Sequence, residues 1–167
     1  TTYMTMNQKN PVLKNVKLRQ AMSYAVNREK LAKNVLTGAA EPAKTFVAKG
    51  LTKDPNTGKD FVDTAHTKYV SYNKAEAAKL WAAGLKETGK KTVKLTLLTG
   101  DTDAAKQTGQ YLQSQLETNL KGLQVSVKSV PAKQTSALTK AGKFDLGLST
   151  WNADYTDPVD MLQTLVT

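Results

Sequence analysis

Apolar residues recur along this chain in two rhythms, and the rhythm changes at capping and turn residues. Asn15 opens a helical pattern in which Val16, Leu18, Met22, Ala25 and Val26 follow at mixed spacings of three and four. Asn27 is placed to cap a second helix from Arg28, with Leu31, Val35 and Leu36 on its apolar face and Gly38 as its terminator. From 39 to 71 the periodicity lapses. Pro42, the turn Asp54-Pro55-Asn56-Thr57-Gly58 and scattered lysines predict a long irregular segment there, with one short strand around Thr45–Val47.

After Asn73 the alternation of elements is regular. Asn73 and Glu76 form a capping-box-like start. Ala77, Leu80, Trp81, Gly84 and Leu85 then mark one helix face, which Gly89 ends. Val93, Leu95 and Leu97 alternate as a strand. Asp101 is the expected cap of a helix whose inward face is Ala105, Thr108, Leu112 and Leu116. A second strand follows at Leu123, Val125 and Val127, then a short helix from Pro131 through Leu138 and Ala141, closed by Gly142. Phe144, Leu146 and Leu148 predict a third strand running into Ser149-Thr150-Trp151, and Asp157-Pro158 is a cap with proline at the first helical position. The order from residue 73 is α-β-α-β-α-β-α. That order implies an α/β fold with parallel strand pairs and right-handed crossovers. Ligands in such sheets bind beyond the carboxyl ends of the strands, and residues 151 to 157 lie just past one of those ends.

Composition narrows the chemistry. A chain of 167 residues is one domain of ordinary size or a piece of something larger. With no Cys there is no disulfide framework, Cys-ligated zinc, iron–sulfur cluster or thiol nucleophile. A single His, His66, leaves little for acid–base catalysis. No stretch approaches the roughly 20 apolar residues of a membrane span. The start lacks both an initiator Met and a signal-peptide pattern, and the final pattern stops in mid-helix. The chain is therefore expected to be processed or cut out of a longer protein.

The net charge of +10 raises nucleic-acid binding as an alternative, but its layout is lopsided. Residues 1–100 hold 18 basic and 7 acidic residues, whereas after Lys143 only Asp145, Asp154, Asp157 and Asp160 are charged. Only Arg19 and Arg28 among the 24 basic residues carry the bidentate guanidinium that base and phosphate recognition favours.

The segment Trp151-Asn152-Ala153-Asp154-Tyr155 puts two aromatics, an amide and a carboxylate on the last strand-to-helix loop. One reading is a ligand pocket, with aromatic walls for a flexible chain and Asp154 for a cation such as an amino group. The other makes Trp151 core, Tyr155 an edge residue and Asp154 a loop or capping group. Asp154, Asp157 and Asp160, three apart, also have the residue type of an oxygen-ligand metal site. Capping by Asp157 and a first-turn place for Asp160 compete with that use. No Gly-x-Ser-x-Gly elbow or glycine-rich phosphate loop is present, so neither a catalytic set nor a cofactor is expected.

Four stretches, in order, resemble the extracellular solute-binding protein family 5, the peptide-binding receptors of ABC importers. They are Asn10-Pro11 with Val16 to Glu29, Gly38 to Ala43, Tyr72 to Leu80, and Phe144-Asp145-Leu146 followed by Trp151 and Ala153 to Pro158. The resemblance implies a two-lobed periplasmic-binding-protein type II fold. This chain would be a single α/β lobe fragment over 1–167, with a helical pair at 10–38, an irregular segment at 39–71 and the alternating unit at 73–167. It implies a monomeric, non-enzymatic receptor at the outer membrane face or in the periplasm, lipid-anchored in its full length. Such a receptor takes an oligopeptide ligand and works with ABC permease subunits, without a metal, cofactor or nucleic acid. The family's Trp-x-Ala-Asp-Tyr motif would give Asp154 the ligand's α-ammonium, with Trp151, Asn152, Ala153 and Tyr155 lining the cleft. Relatives that clamp the peptide carboxylate carry an Arg shortly before the motif. Here Leu146-Gly147-Leu148-Ser149-Thr150 has none, which implies longer or variable peptides.

Overall fold

The computed structural model describes residues 1–165; Val166 and Thr167, the end of the expected C-terminal helix, lie outside the described residues. The strands are β1 (Thr2–Met6), β2 (Val93–Thr99), β3 (Leu123–Ser129) and β4 (Leu146–Thr150). The helices are α1 (Val16–Tyr24), α2 (Arg28–Lys30), α3 (Phe61–Thr64), α4 (Lys74–Thr88), α5 (Asp103–Asn119), α6 (Ala132–Lys140) and α7 (Pro158–Leu162). The strands form one sheet in the order β1-β4-β2-β3. β2 runs parallel to both β3 and β4, while β1 is antiparallel to β4, with Thr2 opposite Thr150 and Met6 opposite Leu146. The fold is thus a mixed α/β sheet.

Three asparagines start helices through their side chains, each accepting a backbone N–H three residues on: Asn15 from Leu18, Asn27 from Lys30 and Asn73 from Glu76. The backbone N–H of Asn73 donates to the Tyr24 carbonyl, so the start of α4 is tied to the end of α1. Gly89 ends α4 in the left-handed region, where its N–H meets carbonyls of the last turn. α1, α4 and α5 cover one face of the sheet. Leu18, Met22, Trp81, Leu112 and Leu116 meet Leu95, Leu97, Leu123, Val125 and Leu146 in one buried cluster. At the free edge of β3, the N–H of Val125 donates to Glu117 and its carbonyl accepts from Gln113, both on α5. Groups that a further strand would pair are thereby satisfied locally.

Several elements differ from the sequence expectation. β1 is unforeseen. Thr45–Val47 forms no strand: Thr45 bonds the Val47 carbonyl within its own turn at 2.6 Å, and Phe46 packs edge-on against Tyr3 at 4.8 Å. Thr102, not Asp101, caps α5, its hydroxyl accepting from Ala105 N–H while Asp103 takes the first helical position. The second helix stays α-helical for only three residues and continues as a π-helical turn over Leu31–Val35. Phe144 precedes the strand rather than opening it. The irregular segment holds α3, capped by Asp60, and a 3-10 turn at Lys68–Val70.

α1 and α4 approach closely at Gly84. A Cβ there would come within 2.5 Å of Leu18 Cδ2 and 2.6 Å of its Cγ. Gly84→Ala is expected to force α1 and α4 apart and to cost about 1–3 kcal/mol. The shift of the urea unfolding midpoint measures it, and an unchanged midpoint would show that the two helices are not packed this closely.

Candidate functional site

β4 lies between an antiparallel and a parallel neighbour, and its entry is fixed by one carboxylate. Asp145 accepts from Asn10 Nδ2 at 2.8 Å and from Thr96 N–H of β2 at 2.9 Å, while its carbonyl accepts from Asn7 N–H at 2.8 Å. Asn7 also donates to the Gly142 and Phe144 carbonyls. With the entry fixed, Leu146 is buried in the core and Leu148 packs against it. The pleat turns Gly147 and Ser149 to the opposite face, where β1 places Tyr3 beside Ser149. Tyr3 in turn meets Phe46, so the segment around Val47, which is 2% exposed, lies on this second face.

Beyond Thr150 the chain leaves the sheet at its carboxyl end as the loop 151–157. The N–H of Trp151 still pairs with the Thr1 carbonyl, one step past the ladder. Trp151 and Ala153 are half-buried; Asn152, Asp154 and Tyr155 are exposed, Tyr155 by 50%. The structure thus brings all five expected residues to one loop and presents the Asp154 carboxylate outward. No lysine or arginine pairs with Asp154 among the described residues. Trp151 is partly covered rather than fully buried; the fully buried tryptophan is Trp81.

The loop is held from beneath by α7. Asp157 caps that helix by accepting from Val159 N–H at 2.8 Å. Asp160 is only 2% exposed, and its Oδ2 accepts from Asp154 N–H at 2.9 Å and from the Trp151 indole N–H at 3.4 Å. Met161, fully buried, receives the Ala48 N–H on its sulfur at 3.4 Å and ties the loop to the segment near Val47. The first-turn place expected for Asp160 is correct, but its main contacts are with the loop. The sequence carried only the six-residue spacing to Asp154 as a signal of this. Asp154, Asp157 and Asp160 are employed separately, and no group of three His, Asp or Glu residues able to hold a metal ion occurs among the described residues.

A well-defined concavity lies elsewhere. A cavity of about 540 Å³ opens at the other end of β4, lined in part by Lys9, Lys128, Leu138, Phe144 and Asp145.

The residues behind the alternative functions are placed differently. Arg19 donates to the Leu13 and Lys14 carbonyls, and Arg28 to those of Ser23, Val26 and Val70. Burial lowers the Arg28 pKa from its ordinary value. Both guanidiniums fasten the chain's own turns rather than lying free for phosphate. His66 is exposed and makes no hydrogen bond among the described residues. No helix among them is long and apolar enough to cross a membrane.

Comparison with known proteins agrees with this architecture. The chain is 39% identical over 156 residues to a dipeptide-binding protein of Lactococcus lactis subsp. cremoris, a match covering 93% of this chain and 28% of the relative. It superposes on the peptide-bound OppA of Listeria monocytogenes with a TM-score of 0.95 and 33% identity, over 100% of this chain and 33% of that one. The substrate-binding domain of an oligopeptide ABC transporter from Bacillus anthracis gives a TM-score of 0.92 and 35% identity, over 98% and 32%. The chain therefore spans less than a third of the length of the curated relatives it matches. The sequence model of the bacterial extracellular solute-binding proteins, family 5 Middle, matches residues 1–167, and the chain belongs to that family.

Proposed function

We propose that this chain is part of one lobe of a receptor that captures extracellular oligopeptides and delivers them to the permease of an ABC importer. The reading rests most on one observation: an outward carboxylate, Asp154, stands beyond the carboxyl end of β4 between Trp151 and Tyr155, with no cation beside it among the described residues. A peptide's α-ammonium supplies that cation. Trp151 and Tyr155 offer apolar walls to the first residues, and Asn152 and Ala153 complete the lining. Backbone groups hold the ligand in an extended, strand-like form. The names of the relatives, dipeptide- and oligopeptide-binding proteins, support this ligand class.

The receptor acts as a monomer and does no chemistry on its ligand. It needs no cofactor or nucleic acid, works at the outer membrane face or in the periplasm, and is lipid-anchored in its full length. A second lobe closes over the loop by a hinge motion and presents the complex to the permease. Without an arginine on β4 to hold the peptide carboxylate, peptides of several lengths are accommodated.

In the full-length receptor, Asp154→Asn is expected to weaken peptides with free amino termini by roughly 10- to 100-fold and to leave N-acetylated ones nearly unchanged. Equal losses for both would sink the anchor role. The chain by itself is expected to bind the same peptides poorly, because half of the cleft is absent; tight binding in calorimetry would contradict the two-lobe reading.

A further inference from the structure

Asp160 is a carboxylate with 2% exposure and no positive partner among the described residues. Burying a charge in this way is unfavourable unless hydrogen bonds or an opposite charge compensate it. Its two donors are both in the candidate ligand loop, the backbone N–H of Asp154 at 2.9 Å and the indole N–H of Trp151 at 3.4 Å. Both reach Oδ2, and no donor among the described residues reaches the other oxygen. Neutral N–H donors orient a carboxylate but do not cancel its charge. The residue also lies on a firm base: its own N–H donates to the Asp157 carbonyl at 3.1 Å, and the next residue, Met161, is fully buried.

These observations have two consequences. A single oxygen fixes where the Asp154 backbone and the Trp151 ring stand relative to each other, so the carboxylate and the aromatic wall are set as a unit. A second negative charge also lies directly under the residue that faces the ligand. A largely buried charge is screened less by water and salt than one in full solvent. We infer that Asp160 is a positioning residue for ligand capture: it fixes the Asp154–Trp151 pair, and its buried charge deepens the site's selectivity for a peptide that brings a positive amino terminus. This inference rests on the peptide-capture reading and extends it to a residue that does not touch the ligand.

The test uses the full-length receptor and a mixed library of tri- to hexapeptides, offered with free and with N-acetylated amino termini. The retained peptides are counted by mass spectrometry. Asp160→Asn keeps an oxygen for the Asp154 N–H and removes the charge. It is expected to lower the free-to-acetylated retention ratio roughly tenfold, with the thermal unfolding midpoint little changed. Asp160→Ala removes both and is expected to lower the ratio at least as far, with a change in Trp151 fluorescence as the indole loses its acceptor. Met161→Ala, which loosens the same helix without removing a charge, is expected to weaken both peptide classes alike. An unchanged ratio in Asp160→Asn and Asp160→Ala, beside a collapsed ratio in Asp154→Asn, would overturn the role of Asp160 alone. An unchanged ratio in Asp154→Asn as well would overturn the amino-terminal anchor, and this inference with it.

Discussion

β4 is paired along its whole length with β1 but meets its parallel neighbour β2 at only two positions, Leu97 with Leu146 and Leu98 with Gly147. The Asp145 carboxylate adds a constraint on the β2 side, because one side chain binds the β2 backbone at Thr96 and the segment after β1 at Asn10 together. Hydrogen bonds to a charged group are stronger than neutral ones, so this joint outweighs an added backbone pair. A slip of one residue in β4 would exchange its two faces, exposing Leu146 and driving Ser149 into the core. It would also redirect Trp151 and every residue after it. The placement of the loop 151–157 thus depends in part on the opposite end of the strand that carries it.

The same strand separates two electrostatic regions. The lysine-rich exterior belongs to the first hundred residues, and its two arginines are spent on carbonyls of the chain's own turns. The loop beyond β4 is purely acidic, and its carboxylates have unlike roles. Asp157 caps a helix, Asp160 supports the loop from below, and Asp154 is left to solvent. Net charge therefore says little about the ligand here. A basic total of +10 coexists with a loop whose charged side chains are all carboxylates.

Sequence pattern made the local parts of this fold legible. Asparagine caps at 15, 27 and 73, the helix face of α4 and the alternation in β2 and β3 all arise from interactions within a few residues. β1 was within reach of the same reasoning, since Met4 and Met6 alternate with Tyr3 and Thr5. Its partner, however, is 140 to 148 residues away, and an antiparallel edge strand is not implied by an αβ alternation. The π-helical turn after α2 and the failed strand at Thr45–Val47 reflect tertiary contacts that override local preference. In the candidate site, residue types and their common loop were readable, because strand, loop and cap follow one another in sequence. The burial of Asp160 was not, because it depends on how α7 folds back beneath Trp151.

The exposure of Asp154 bears on how capture and closure depend on each other. An ion pair on an open surface contributes only about 0–1 kcal/mol, because water and salt screen it. The loop as it stands, with Tyr155 half-exposed and Asp154 in solvent, thus offers weak attachment by itself. Covering the pair with a second protein surface removes water and strengthens the attraction. Covering an empty Asp154 would bury a carboxylate that has no cation beside it, which is unfavourable. On the proposed reading, the ligand's ammonium makes closure acceptable and closure makes the ammonium's contact strong. A ligand shifts a conformational equilibrium only by its difference in affinity for the two states, and on that reading the exposed Asp154 carboxylate makes the difference depend on the one charge that a free peptide amino terminus carries.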